Sequence, residues 1–216
     1  MTLSVDLFWS FRSPYSYLAT GRIVGFARDW DLDVNVRPVY PIAIRTPEFF
    51  ADINPQWVAY LLRDVQRVAE FHGIPIAWPS PDPVVMNMAT REIPADQPYI
   101  HRLTFLGIDA ARAGRGLAFI DEVSRLIWGA GVKGWDEGDH LAQAAARAGL
   151  DLAEMEARIA ADEAGCRAAV EANQKAHEQA GHWGVPTLVV DGELFFGQDR
   201  LDLCLWRLKQ KGLRPR

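Results

Sequence analysis

The sequence predicts an α/β fold in which one sheet is built from both ends of the chain, with a helical domain inserted between them. Three observations carry this reading. The N-terminal region reads as strand, helix, strand. The C-terminal region reads as strand, strand, helix. Between them the apolar residues recur at helical spacing. Neither end makes a convincing core alone, so the two halves are expected to share one four-stranded sheet. A chain of 216 residues suits one domain with a sizeable insertion, or two small lobes, and can fold without covalent staples.

Residues 4–10 alternate loosely around Val5, Phe8 and Trp9, as a strand buried on both faces does. Ser13-Pro14 follows, an N-cap serine with proline at the first helical position. That helix is expected from Pro14 to about Trp30, with Leu18, Ile23 and Phe26 on its apolar side. Val34-Asn35-Val36 begins a second strand, and the unit fits a right-handed parallel crossover. Pro41 and Pro47 then break the chain. Trp57, Tyr60, Leu61, Val65, Val68 and Phe71 mark a helix that Gly73 ends.

Four prolines between Ile74 and Pro83 require an extended loop. Further helices are expected at 97–113, 117–129, 137–148 and 153–179. Thr187–Val190 and Leu194–Phe196 flank Asp191-Gly192, a strong hairpin signal. Asp199 is read as the cap of a final helix through Lys209. A βαβ half and a ββα half sharing a sheet make a thioredoxin-like fold. Its expected parts are a discontinuous sheet domain, 1–46 with 181–216, and an inserted α-helical domain, 47–180.

Composition narrows the function classes. With 49% hydrophobic and 24% charged residues the chain is neither disordered nor collagen-like. A net charge of −5 disfavours nucleic acid as the main partner. No stretch approaches the roughly 18 apolar residues of a membrane span, and the N-terminus does not read as a signal peptide. The two cysteines, Cys166 and Cys204, make no CxxC and no metal spacing. A reducing cytoplasm and no metal are therefore expected. Eight tryptophans can fill a core or wall an aromatic pocket.

Three segments are candidates for chemistry. Ser13 sits where a strand hands over to a helix, so backbone N–H groups and the helix dipole would favour an anion or thiolate there; it can equally be a cap alone. Gly184-Val185-Pro186-Thr187 precedes the hairpin. With Pro186 cis, the Val185 backbone could pair with an extended ligand. Gly197-Gln198-Asp199 offers a carboxylate for a ligand ammonium group, or a helix cap. Other motifs are blander. Gly129–Gly134 matches GxGxxG but follows a helix, so it reads as a glycine-rich helix terminus. Trp135–His140 reads as helix-start capping. The histidines are scattered, and Arg63, Asp64 and Arg67 form a solvated or interdomain charge set.

These blocks together resemble a known family. Phe11-Arg12-Ser13-Pro14-Tyr15-Ser16-Tyr17-Leu18-Ala19 resembles the opening of 2-hydroxychromene-2-carboxylate isomerases. Tyr60–Ala69 is similar to that family's first inserted helix. Trp183-Gly184-Val185-Pro186-Thr187, Asp191-Gly192-Glu193 and Phe196–Leu201 match its C-terminal signature. The broader group includes kappa-class glutathione transferases and DsbA-like thiol oxidases.

The resemblance implies glutathione as cofactor, a homodimer, and a small aromatic or unsaturated carboxylate as substrate. It implies that Ser13 faces the glutathione sulfur. Val185, before a cis Pro186, would pair with the cysteinyl backbone, and Gln198 and Asp199, after Gly197, would hold the γ-glutamyl end. Arg45, Asn54 and Asn87 lie where the family places substrate-contacting polar groups, with Arg45 nominated for the substrate carboxylate. Met86–Arg91 resembles a helix start of the family, but Glu92–Pro98 interrupts that helix here. The implied reaction is reversible thiolate addition and isomerisation. The alternatives are kappa-type conjugation, a protein thiol oxidoreductase, for which Ser13 and Ser16 replace the needed cysteine pair, and a non-catalytic binding protein.

Overall fold

The computed structural model describes residues 2–50, 53–87, 90, 92–129 and 131–216. Strand β1 (Leu3–Trp9) lies inside the sheet, with Leu7, Phe8 and Trp9 buried on both faces. Helix α1 (Pro14–Asp29) starts where Ser13 accepts the Ser16 N–H at 3.1 Å, with Pro14 at its first position. Strand β2 (Leu32–Pro38) pairs parallel with β1, so α1 is the crossover. At the other end of the chain β3 (Thr187–Val190) and β4 (Glu193–Phe196) form an antiparallel hairpin. Its turn residues Asp191 and Gly192 both have positive φ, 49° and 83°, as a two-residue turn of this hand requires. The order is β2-β1-β3-β4, with β3 antiparallel to β1. This is the thioredoxin-like sheet read from the sequence, shared by the two chain ends.

Between the halves run α2 (Ile42–Arg45), a 3-10 turn (Pro47–Phe50), α3 (Pro55–His72), α4 (Pro98–Arg112), α5 (Gly116–Ser124), α6 (His140–Arg147), α7 (Leu152–Ala161) and α8 (Glu163–Gln179). Helix α9 (Leu201–Gln210) follows β4. Several boundaries differ from the sequence reading. The single helix expected over 153–179 is broken at Asp162. That residue ends α7 with its backbone N–H and caps α8 by accepting the Gly165 N–H. The helix expected over 117–129 is α5 followed by a π turn, Arg125–Gly129. The one expected from 137 begins at His140, and Asp139 makes no side-chain cap bond. The short α2 was not foreseen.

Asp199 does not cap the last helix. Gln198–Arg200 form a 3-10 turn, α9 starts after Arg200, and the Asp199 carboxylate pairs with Arg200 at 3.2 Å. The interruption at Glu92–Pro98 is present, and α4 begins only at Pro98. Of the Met86–Arg91 helix start, Met88, Ala89 and Arg91 lie outside the described residues, as does Ala130 of the glycine-rich segment.

The tryptophans divide between core and surface. Trp9, Trp128 and Trp135 are buried, and each indole N–H finds an acceptor: Thr20 at 3.0 Å, the Phe11 carbonyl at 3.0 Å, the Pro81 carbonyl at 2.7 Å. Trp57, Trp78, Trp183 and Trp206 keep exposed faces. Cys166 and Cys204 are buried helix residues, and burial pushes the Cys204 thiol up to about 12. No helix among the described residues is long and apolar enough to cross a membrane.

Candidate active site

Strand direction decides which residues meet. Trp9 pairs with Pro38, Phe8 with Thr187, and Thr187 with Phe196. The C-terminal ends of β1, β2 and β4 and the N-terminal end of β3 therefore lie at one end of the sheet. The segments leaving those ends carry Ser13, Arg45, Val185-Pro186 and Gly197–Asp199. Ligands of open α/β sheets gather at such an end.

Ser13 uses its one oxygen twice. It accepts the Ser16 N–H and donates its proton to the Val185 carbonyl at 3.2 Å. A cap and a cross-site contact therefore coexist in one side chain. The Val185–Pro186 peptide is cis. The Val185 N–H makes no hydrogen bond to a described residue. Pro14 has no N–H, and the Tyr15 N–H is likewise free of a described partner, so the start of α1 presents an unused donor.

Gly197 donates its N–H to the Pro186 carbonyl at 2.9 Å, which sets Gln198 and Asp199 beside the cis proline. It has φ of 104°, and a Cβ there would run into the Asp199 carboxylate. Only glycine leaves that cradle open. Arg22 from α1 donates to the Gln198 carbonyl at 3.1 Å and ties the turn down.

Helix α3 reaches this end through Asp64. Tyr15, in the first turn of α1, donates to Asp64 at 2.7 Å, and Tyr60 donates to its other oxygen at 3.2 Å. Burial raises the Tyr15 pKa, and the Asp64 hydrogen bond and charge raise it further. Asp64 thus ties α3 to the first turn of α1.

Arg45 donates to the Trp183 carbonyl at 2.6 Å. Burial lowers its pKa, partly offset by the Glu178 charge. It lines a cavity of about 430 Å³ with Phe49, Trp183, Gln174 and Glu178. Asn54 caps α3 by accepting the Gln56 N–H at 2.9 Å, and Asn87 accepts the Thr90 N–H in a turn. Neither asparagine has a contact that links it to Ser13 among those described.

Sequence reasoning missed Arg12. Its Nε is paired with Asp82, and its guanidinium lies 5.1 Å from the Trp78 ring and 5.8 Å from Trp128. Asp82 lies 70 positions away and Trp128 farther still, so no local pattern marks it. It also missed Tyr15, whose partner Asp64 lies on another helix.

A family model described as the DSBA-like thioredoxin domain matches residues 4–209. A 2-hydroxychromene-2-carboxylate isomerase of Sphingobium xenophagum is 28% identical, over 94% of this chain and 96% of its own. One of Pseudomonas putida is 25% identical, over 91% and 90%. Among solved structures, a 2-hydroxychromene-2-carboxylate isomerase superposes with a TM-score of 0.72 at 22% identity, covering 96% of this chain and 95% of that one.

Proposed function

This chain belongs to the DSBA-like thioredoxin domain family, and on that premise we propose that it is an isomerase of an unsaturated, aromatic-derived carboxylate, as its relatives' name suggests, and that it works with glutathione. The observation that carries the reading is Ser13. A thiol oxidoreductase of this fold needs a cysteine pair, and here a hydroxyl stands at the start of α1, 3.2 Å from the carbonyl before a cis proline. Sulfur chemistry at this position requires a thiol brought in from outside.

The residues fit a γ-Glu-Cys-Gly tripeptide. The Val185 N–H and C=O can pair with the cysteinyl backbone as a neighbouring strand would. The open cradle at Gly197 and the Asp199 carboxylate suit the γ-glutamyl ammonium group. Glutathione, when bound, would supply a thiolate nucleophile for reversible addition to an electron-poor double bond, making that bond single and free to rotate until elimination of the thiolate restores it.

The chain's own residues do the rest. Ser13 redirects its proton from the Val185 carbonyl to the sulfur, which frees that carbonyl for the ligand. The unused Tyr15 N–H and the positive end of α1 add to the same field. Free thiols have a pKa near 8.5, and each unit by which the site lowers it is about 1.4 kcal/mol of thiolate stabilisation. Asn54 and Asn87 are the polar groups that the family resemblance offers for the substrate, with Arg45 as a candidate cation.

The test is to follow 2-hydroxychromene-2-carboxylate by ultraviolet absorbance with and without glutathione, and to weigh the product. A glutathione-dependent product of unchanged mass supports isomerisation. A glutathione adduct assigns the site to conjugation instead, and no turnover with no glutathione binding removes both.

A further inference from the structure

We propose that Arg12 is the receptor for the substrate's carboxylate group. The inference rests on the glutathione-dependent reading above, but its own evidence is geometric.

Arg12 is the residue before Ser13, on the loop that leaves β1. Its guanidinium is held from three sides. Nε is paired with Asp82, whose same oxygen accepts the Val84 N–H at 2.9 Å and so cannot swing away freely. Trp78 and Trp128 lie against the guanidinium at 5.1 and 5.8 Å, within cation–π range. Trp128 is itself fixed by its bond to the Phe11 carbonyl, and Trp78 packs edge-on against it at 5.4 Å. A long side chain that ordinarily loses much rotamer freedom on binding is therefore already placed.

What it holds in reserve decides the proposal. A guanidinium has five N–H donors, and a structural pin through Nε uses one. The two terminal nitrogens of Arg12 have no hydrogen-bond partner among the described residues and are not buried. That terminal edge matches a carboxylate bidentately. Trp78, 44% exposed beside it, offers a plate for a flat ring. An aromatic acid lying on Trp78 brings its carboxylate to the free edge of Arg12, one residue from Ser13.

Arg45 is the rival, and chain direction argues against it. A tripeptide paired antiparallel at Val185, with its γ-glutamyl end at Gln198–Asp199, runs its glycyl end back along Trp183. Arg45 is bonded to the Trp183 carbonyl, and Glu178 lines the same cavity. Arg45 thus stands at the glycyl end of the tripeptide, and a separate cation is left for the substrate.

The experiment uses the whole chain and two inert probes, salicylate and its neutral amide salicylamide. Binding is measured by calorimetry for wild type, Arg12→Gln, Arg12→Lys and Arg45→Gln, with thermal melts to check folding. Arg12→Gln is expected to weaken salicylate about 10–100-fold, the loss of a charge-assisted bidentate pair. Salicylamide and glutathione affinities stay unchanged. Arg12→Lys keeps the charge over the tryptophans but not the fork. It is expected to lose part of the affinity, and it carries the readout if the glutamine variant does not fold. Arg45→Gln is expected to weaken glutathione and spare salicylate.

The proposal is overturned if wild type does not bind salicylate, if both Arg12 variants bind it like wild type, if salicylate and salicylamide fall together, or if the carboxylate-specific loss follows Arg45. Wild type that binds no glutathione refutes the parent reading, whereas the salicylate–salicylamide difference still judges Arg12.

Discussion

Ser13 concentrates the account in one oxygen that caps α1 and reaches Val185 at the same time. Replacing it with alanine is expected to raise the pKa of bound glutathione by about 1–2 units, since a charge-assisted hydrogen bond contributes roughly 1.5–3 kcal/mol. Titrating the thiolate absorbance of the complex checks this, and an unchanged pKa contradicts it. Asp199→Ala is expected to weaken glutathione binding about tenfold, the loss of one charged contact, by calorimetry. Unaltered affinity would refute the assignment. Ser13 was legible because capping is local: serine then proline marks a helix start whatever lies elsewhere. Asp199 misled as a cap because it lies inside a 3-10 turn that precedes α9, and no residue pattern distinguishes that from an immediate helix start. Arg12 was not legible, because Trp78 and Asp82 meet it only through the tertiary fold.

The elements around the site show what periodicity cannot resolve. The break at Asp162 leaves helical spacing nearly intact on both sides, so 153–179 reads as one helix, although Asp162-Glu163 is itself a helix-start signal. The π turn at Arg125–Gly129 is similarly invisible as a pattern, yet it sets Gly129 against Tyr17. A Cβ at Gly129 would collide with the Tyr17 hydroxyl, which is held by the Pro75 carbonyl at 2.6 Å. Gly129→Ala is expected to destabilise the protein by about 1–3 kcal/mol. Adding Tyr17→Phe removes the colliding oxygen, so the double variant should be more stable than the summed single effects by about 1 kcal/mol. Urea denaturation of the four proteins measures this, and strict additivity would contradict the clash.

At the scale of the molecule, the alternation of apolar runs and turn signals specified the sheet, because both chain ends need a partner to bury their strands. The site followed from that topology, since the register puts the ends of all four strands together. The tethers across it, Tyr15 to Asp64 and Arg12 to Asp82, depend on side chains brought together only on folding. The two chain regions also meet at His177 of α8. It is buried and stacked on Phe8 of β1 at 4.6 Å. Burial first, then the Arg45 and His182 charges, lower its pKa to about 4, against a weaker opposing effect from the Gly184 backbone.

The sign follows from linkage. Below about pH 6.5 the unfolded chain takes up a proton that the folded chain refuses until about pH 4. Stability is therefore expected to fall by up to roughly 3 kcal/mol as pH drops through that window. Urea midpoints at successive pH values check it. His177→Leu should flatten the decline, and a decline that persists undiminished would place its source elsewhere.

The central claim is that the sulfur at Ser13 is borrowed. The most direct measurement is single-wavelength absorbance of 2-hydroxychromene-2-carboxylate incubated with purified protein, before and after adding glutathione. The expected result is no conversion without glutathione, conversion with it, recovery of free glutathione at the end, and loss of most of the rate in Ser13→Ala. Equal conversion in the absence of any added thiol, with the protein shown free of bound glutathione, would contradict it.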